Sequence, residues 1–379
     1  MKKIILSIIC LSLYSFGFTQ NDSTYTFKIT NDIQATSVKS QGSTGTCWSF
    51  STASFLESEL IRINKGNIDL SEMFVVRNVY KAKAQNYVQR QGKANFSQGS
   101  LAHDLLNAVY EHGAIPELAY KGKSYDGEKH QHSELFSLLK AFVDAVIKNR
   151  SGQLNTQWIE AFEGVLNAYL GSAPETFTFQ GQSYTPKSFA KDFMQFERDN
   201  YIHLTSFNNL PLYQSNILNI PDNFSNGQFY NLPLNEFQEV LDYALSQGFT
   251  AVWDCDVSEK SFNRKEGVAI IPEKPWSEKS QLERKNTGVL VETELEISEE
   301  FRMSEFLNQN TTDDHLMHIT GTAKDQYDTP YYIVKNSWGD KIGKSGYLYA
   351  SESYFQLKSI SYTLHKNAIP KNIRKKLGI

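Results

Sequence analysis

Apolar positions along the chain repeat first at helical and later at strand spacing. Ala53, Leu56, Leu60 and Ile63 fall three and four residues apart, which predicts a helix with one buried face. It should begin after the turn-rich stretch 41–46 and stop at Gly66. Leu101, Leu105, Ala108 and Val109 predict a second helix over 101–112, ended by Gly113. With Ser133 as N-cap, Leu135, Leu138, Leu139, Phe142, Val143, Val146 and Ile147 form a continuous stripe. Phe162, Val165, Leu166, Tyr169 and Leu170 form another, closed by Gly171. Alternation over 176–184 around Gln180-Gly181 predicts a hairpin, and Thr185-Pro186 caps a helix through Phe189, Phe193 and Phe196. A further helix fits 235–247, ending at Gly248. Strand-like runs follow at 250–253, 316–322, 331–334 and 347–350. Helices first and strands later indicate an α+β protein with two lobes.

The first residues follow a different logic. Met1-Lys2-Lys3 precedes a short apolar core from Ile4 to Leu11, and small residues Gly17 and Thr19 stand before Gln20. This is the layout of a secretory signal peptide over 1–19, so the protein is expected to be exported to the periplasm or beyond. A lipid anchor at Cys10 is less suited, because bulky Ile9 precedes it. No other run approaches 18 apolar residues, so no stable membrane span is expected.

Composition narrows the class. With 40% apolar, 21% charged and 13% aromatic residues, the 379-residue chain has the make-up of a packed globular protein. A net charge of −4 argues against nucleic acid as a partner. The basic end with Lys371, Arg374, Lys375 and Lys376 reads as a surface helix. Three cysteines, Cys10, Cys47 and Cys255, are too few for a disulfide framework or a cysteine-based zinc site. His130-x-His132 reads as a solvated loop sooner than a metal site, and Cys255 as a buried apolar thiol.

Cys47 is different. It stands where the Gly-rich turn Gln41-Gly-Ser-Thr-Gly-Thr becomes a helix. A helix N-terminus favours thiolate over thiol, and its first N–H groups are free to donate to a developing oxyanion. Gln41 can add a side-chain amide. Far along the chain, Asp314-His315-Leu316-Met317-His318 and Lys335-Asn336-Ser337-Trp338-Gly339 supply imidazole and carboxamide. A Cys–His pair oriented by a third polar group is suited to thiol acyl transfer. If 315–321 is a strand, His315 and His318 point to opposite faces, and only one can meet Cys47.

These motifs resemble the papain-like cysteine proteases. Thr44 stands where that superfamily usually has a disulfide-forming cysteine, and Thr46 replaces the small residue before the nucleophile. The family's His-x-Met and His-x5-Gly pattern selects His315, with Met317 and Gly321 in register, and makes His318 a core histidine. It implies that Asn336 holds the His315 ring and that Trp338 shields the pair from water. Gly99, in Ser97-Gln98-Gly99-Ser100, resembles the cleft segment whose backbone pairs with substrate. His315 lies about 270 residues after Cys47, an excess of roughly 120 over the usual spacing.

Such an excess, together with the stretches 69–73, 103–104, 220–227 and 251–257, is similar to the bleomycin hydrolase (aminopeptidase C) branch. The resemblance implies a helical lobe over 20–120, a mainly helical insertion over 121–230 and a β-rich lobe with His and Asn over 231–370. It implies hydrolysis of peptide or protein substrates through a thioester, without metal or organic cofactor, and a homo-oligomer, a hexamer in that branch. In that branch a C-terminal arm carries its carboxylate into the cleft to anchor the substrate's free amine. Residues 371–379 are short and basic, unlike that arm, so endopeptidase or dipeptide-releasing activity stands beside aminopeptidase activity. Acyl transfer to an amine and a catalytically silent binding protein are the other readings.

Overall fold

A computed structural model describes residues 23–379 apart from Asp126, Glu128 and residues 150–152. The expected signal segment 1–19 and Cys10 therefore lie outside the described residues.

The helix predicted from Ala53, Leu56 and Leu60 is α1 (Cys47–Arg62), and it has no exposed side until its last turn. Every residue from Cys47 to Leu60 is buried, in contrast to the single buried face expected. The cause is that α1 runs between the sheet on one side and α2 (Glu72–Gln89) and α3 (Ala102–His112) on the other. Its polar residues are consequently bonded inside the protein: Ser49 Oγ donates to Glu72 O at 3.0 Å, and Glu57 accepts from Leu70 N–H at 2.8 Å and from Thr36 Oγ1. α2 carries no recognised period in the sequence because Met73-Phe74-Val75-Val76 is an unbroken apolar run. Its start is nevertheless capped, since Ser71 Oγ accepts the Phe74 N–H at 3.2 Å.

α4 (Ser133–Lys148) and α5 (Gln157–Leu170) follow the predicted stripes, although Ser133 is the first helical residue and not the N-cap. Leu135, Leu139 and Val143 are fully buried, while Leu138 faces solvent. Arg77 of α2 fastens α5 by donating to Gly171 O and Asn167 Oδ1, both at 2.7 Å. The predicted hairpin forms as β2 (Phe177–Phe179) and β3 (Gln182–Tyr184). Thr185 caps the helical stretch after it, which widens to a π-helix at Phe189–Phe193 and stacks those two rings.

The stretch 201–230, expected within the mainly helical insertion, instead contributes strands to the main sheet. β4 (Tyr201–Thr205) pairs with β13 (Ser359–His365), while β5 (Ser215–Ile217) and β6 (Gln228–Asn231) extend that edge. Among the described residues the sheet has eleven strands in the order β5-β6-β4-β13-β7-β10-β11-β12-β9-β8, with β1 (Phe27–Asp32) also on β10. The remaining strands are β7 (Ala251–Cys255), β8 (Phe262–Asn263), β9 (Val268–Ala269), β10 (His315–Asp325), β11 (Pro330–Lys335) and β12 (Tyr347–Ser351). β10 is the longest. Its first half pairs with β7 and its second half with β1, the change falling at Gly321, where a Cβ would meet Asn31 O at 2.2 Å.

One core lies between the sheet and α1–α5. A second lies on the other face beneath the helix Leu234–Ser246. The basic stretch Lys371–Leu377 is a helix that buries Ile373 and Leu377 in this second core and turns Lys371, Lys375 and Lys376 outward. Among the described residues no helix is long and apolar enough to cross a membrane.

Candidate active site

The turn before α1 is fastened from three directions, and this fixes Cys47 as the first residue of the helix. Gln98 accepts from Gly45 N–H at 2.8 Å through its side chain and from Trp48 Nε1 at 3.0 Å through its backbone. Ser43 N–H donates to His130 O at 2.8 Å, and His132 N–H donates to Ser43 O at 3.2 Å. Gln41 N–H donates to Ser337 O at 2.8 Å, joining the turn to the loop after β11. Thr46 at the N-cap does not cap the helix; its hydroxyl bonds Thr44 Oγ1 at 2.6 Å. The first-turn N–H groups are thus left free of a side-chain cap, and the Trp48 N–H faces the Cys47 sulfur.

β10 brings His315 to the same place. The backbone N–H of Leu316, the next residue, also faces the Cys47 sulfur. His315 Nε2 lies 2.8 Å from Asn336 Oδ1, and the Trp338 ring stacks on the imidazole with centroids 4.8 Å apart. Gln41 is buried with its Oε1 accepting from Ser337 Oγ at 2.6 Å and its Nε2 donating to Thr44 O at 2.7 Å. One amide hydrogen of Gln41 remains for a further acceptor. Cys47, His315, Asn336 and Gln41 therefore belong to one constellation assembled from α1, β10 and the loop after β11.

Its electrostatics differ from the thiolate that the helix N-terminus predicts. Burial pushes the Cys47 thiol up to about 12, with the charges of Asp222 and Asp254 acting in the same direction. Burial holds His315 down to about 4 against the support of Asn336. Desolvation outweighs the helix dipole, whose effect is confined to about 0.3–1 kcal/mol at most exposed ends. Both shifts favour the neutral thiol and the neutral imidazole in the resting site.

His318 projects to the face of β10 opposite His315, the face packed against the middle of α1. It is fully buried, with Nδ1 2.9 Å from Ser54 Oγ of α1 and its ring edge-on to Phe55. Gly99 lies beside the turn, but its carbonyl is taken by Lys83 Nζ and its Cα is covered by the Asp222 carboxylate. Cys255 pairs with His315 in the sheet register, and both it and Cys47 are free thiols. The 130–132 segment corrects the expectation of a solvated loop: His132 is fully buried against Tyr80, and His130 packs edge-on to Phe50. The loop is drawn inward because it pairs with Ser43.

Two supporting groups carried no recognised role in the sequence. Buried Asp256 accepts from Thr312 N–H at 2.9 Å and Ser258 N–H at 2.7 Å, clasping the turn that leads into His315. On the other side of α1, Glu57, Asp69 and Glu72 gather closely enough to hold an ion, but Lys39 Nζ already pairs with Asp69 and with Glu72.

The chain is similar to known cysteine peptidases. The model of the Peptidase C1-like family matches residues 138–378, and that of the papain family cysteine proteases matches residues 25–161. Aminopeptidase W of Lactobacillus delbrueckii subsp. lactis is 22% identical over 92% of this chain and 84% of its own length. Aminopeptidase C of Listeria monocytogenes is 20% identical over 90% of this chain and 83% of its own. The crystal structure of PepW from Lactobacillus rhamnosis HN001 superimposes with a TM-score of 0.70 at 18% identity, covering 93% of this chain and 84% of that one. From the family match over residues 138–378, which include β10 and β11, the chain belongs to the Peptidase C1-like family.

Proposed function

We propose that the protein is a cysteine aminopeptidase in which Cys47 is the nucleophile, His315 the acid–base group, Asn336 the residue that orients His315, and Gln41 an oxyanion donor. The observation that carries this reading is the His315–Asn336 contact of 2.8 Å beneath Trp338, placed beside the cysteine that opens a buried helix. Because Nε2–H is directed at Asn336, Nδ1 of the neutral ring is the free base. The Cys47 proton passes to Nδ1 as sulfur attacks the peptide carbonyl, so the thiolate exists only during attack. The Cys47 N–H and the second hydrogen of the Gln41 amide stabilise the oxyanion. Imidazolium then protonates the leaving amine, and water hydrolyses the thioester with His315 again as base.

The aminopeptidase assignment follows the curated relatives, which are named aminopeptidases W and C. The test is mass-spectrometric analysis of an unblocked peptide and its N-acetylated copy. Sequential loss of single N-terminal residues from the first alone supports the assignment; internal cleavage of both replaces it with an endopeptidase. Cys47→Ala should abolish either product while the far-UV spectrum is unchanged. Export through residues 1–19 and assembly into a homo-oligomer belong to the same proposal. N-terminal sequencing of the extracellular fraction and light scattering of the purified protein test them.

A further inference from the structure

Three carboxylates converge beside Cys47 that the hydrolysis above does not use. Asp254 on β7 stands directly opposite Leu316 of β10, whose N–H faces the Cys47 sulfur. Residues paired across antiparallel strands project to the same face, so Asp254 and Leu316 share the α1 side of the sheet. The Asp254 residue is only 2% exposed, and its Oδ1 is buried without a hydrogen-bond donor. Its other oxygen receives a 3.4 Å contact from Ser361 Oγ, and the carboxyl shares a hydrogen bond with the Asp313 side chain. The group facing it is the Asp313 carboxyl, which in turn accepts the Asp222 N–H at 3.3 Å.

Asp222 is held in place by construction. Its loop is fixed by Asn223, which accepts from Gly227 N–H at 2.6 Å, and by Ser225, which donates to Asp104 at 2.6 Å. Its carboxylate accepts from Ser97 Oγ at 3.0 Å and Asn95 Nδ2 at 3.1 Å, and lies against Gly99. Asp222 and Asp313 are half-buried while Asp254 is not exposed, so the cluster has a closed floor and an accessible rim. The resident cation is Lys83, which faces Asp222, Asp104 and Asp313 but spends its hydrogen bonds on Gly99 O and Ser97 Oγ. One lysine does not balance three carboxylates. Burial and mutual repulsion hold Asp313 up to about 7 and Asp254 well above the usual carboxylate range, so the cluster retains a proton that an arriving cation would displace to solvent.

We propose that Asp222, Asp254 and Asp313 form a binding site for an ammonium group of the substrate, adjacent to the carbonyl that Cys47 attacks. This rests on the cysteine-peptidase reading above. The ammonium is either the α-amino group of a free N-terminus or the side chain of a lysine; the chemistry is shared, and the substrates below separate the two.

The first measurement needs no hydrolysis. The rate of Cys47 modification at pH 7.5 is compared for cationic aminoethyl and anionic sulfonatoethyl methanethiosulfonate, with Cys47→Ala as the background. The cationic reagent should react faster by roughly tenfold or more, the scale of one charge-assisted contact. The ratio should contract in Asp254→Asn. Asp313→Asn, at the accessible rim, provides the same test should the buried substitution prevent folding. Equal rates for the two reagents, or a ratio unchanged in a folded variant, overturns the site. The second measurement is kcat/KM for alanyl against acetyl-alanyl aminocoumarin amide, and for acetyl-lysyl-alanyl against acetyl-norleucyl-alanyl amide. Preference within the first pair assigns the α-ammonium and preference within the second the lysine; preference in neither overturns the proposal. Charge-selective modification without any hydrolysis would leave the cation site standing and remove the peptidase reading.

Discussion

Asn336 Oδ1 accepts from two directions, from His315 Nε2 at 2.8 Å and from its neighbour's Ser337 N–H at 2.7 Å. The second bond holds the carboxamide oxygen toward the imidazole, so the tautomer of His315 is set by backbone geometry one residue from the acceptor. Trp338 covers the pair, which keeps water from competing for Nε2–H.

Asn336→Ala should therefore lower kcat by roughly 10- to 100-fold, the worth of one hydrogen bond to an imidazolium that forms in the transition state. KM for an aminoacyl amide should change little, because the contact strengthens only as His315 gains charge. Steady-state kinetics checks this. A rise in KM with kcat preserved would place Asn336 in substrate binding.

The pH dependence of Cys47 reactivity follows from the neutral resting pair. With the thiol pushed up to about 12 and His315 held down to about 4, the thiolate fraction is small throughout the neutral range. Alkylation of Cys47 by iodoacetamide should climb close to tenfold per pH unit between about pH 6 and 9, without a plateau. A resting thiolate–imidazolium pair would instead react at a nearly constant rate from about pH 5 to 8. The pH–rate profile, with Cys47→Ala to subtract Cys255, decides between them.

The site was legible in the sequence where chemistry depends on short motifs. Cys47 after a Gly-rich turn and His315 at the start of a strand fix their own surroundings locally, and periodicity supplied α1, α4 and α5. Long-range pairing was not legible. β4 is a five-residue strand whose partner β13 lies about 160 residues away, so nothing near Tyr201–Thr205 marks it as sheet. His132 carries no local sign of burial, because the turn that draws its loop inward is Ser43, far along the chain. The carboxylates beside Cys47 come from three separated segments, and only the register of β7 on β10 places Asp254 at the thiol.

Arg302 shows how the late sheet edge is held. It is 2% exposed, and its guanidinium donates to Ser206 O at 2.8 Å, Gln356 O at 2.7 Å and Ser359 O at 2.5 Å. These carbonyls belong to the residue after β4, to the helix Glu352–Lys358 and to the first residue of β13, so one side chain ties together the ends of the paired strands. Arg302→Met should cost about 3–5 kcal/mol, since several buried acceptors lose their donor together. Urea unfolding should show the midpoint shift with an unchanged slope. Arg302→Lys should recover only part of the loss, because a point ammonium cannot span the fan that the planar guanidinium covers.

The buried His132 predicts an acid limb in stability. Burial lowers its pKa from 6.5 to about 4, its Nδ1 meets Tyr80 Oη at 3.2 Å, and its Nε2 is buried without a partner. Between these two values the unfolded chain binds a proton at this position that the folded chain does not. Stability must then fall as pH drops from about 6.5 toward 4, by up to about 1.4 kcal/mol per pH unit from this residue, and be independent of it above 6.5. Half-buried His130, held to about 4 by burial and by the Lys123 and Lys39 charges, adds to the same limb. His132→Phe keeps an aromatic ring against Tyr80 and His130 but removes the proton. Urea midpoints measured from pH 4.5 to 7.5 should therefore decline less steeply on acidification in the variant, whatever its stability at pH 7.5. Parallel declines in the two proteins would mean that His132 takes up its proton without unfolding the turn that carries Cys47.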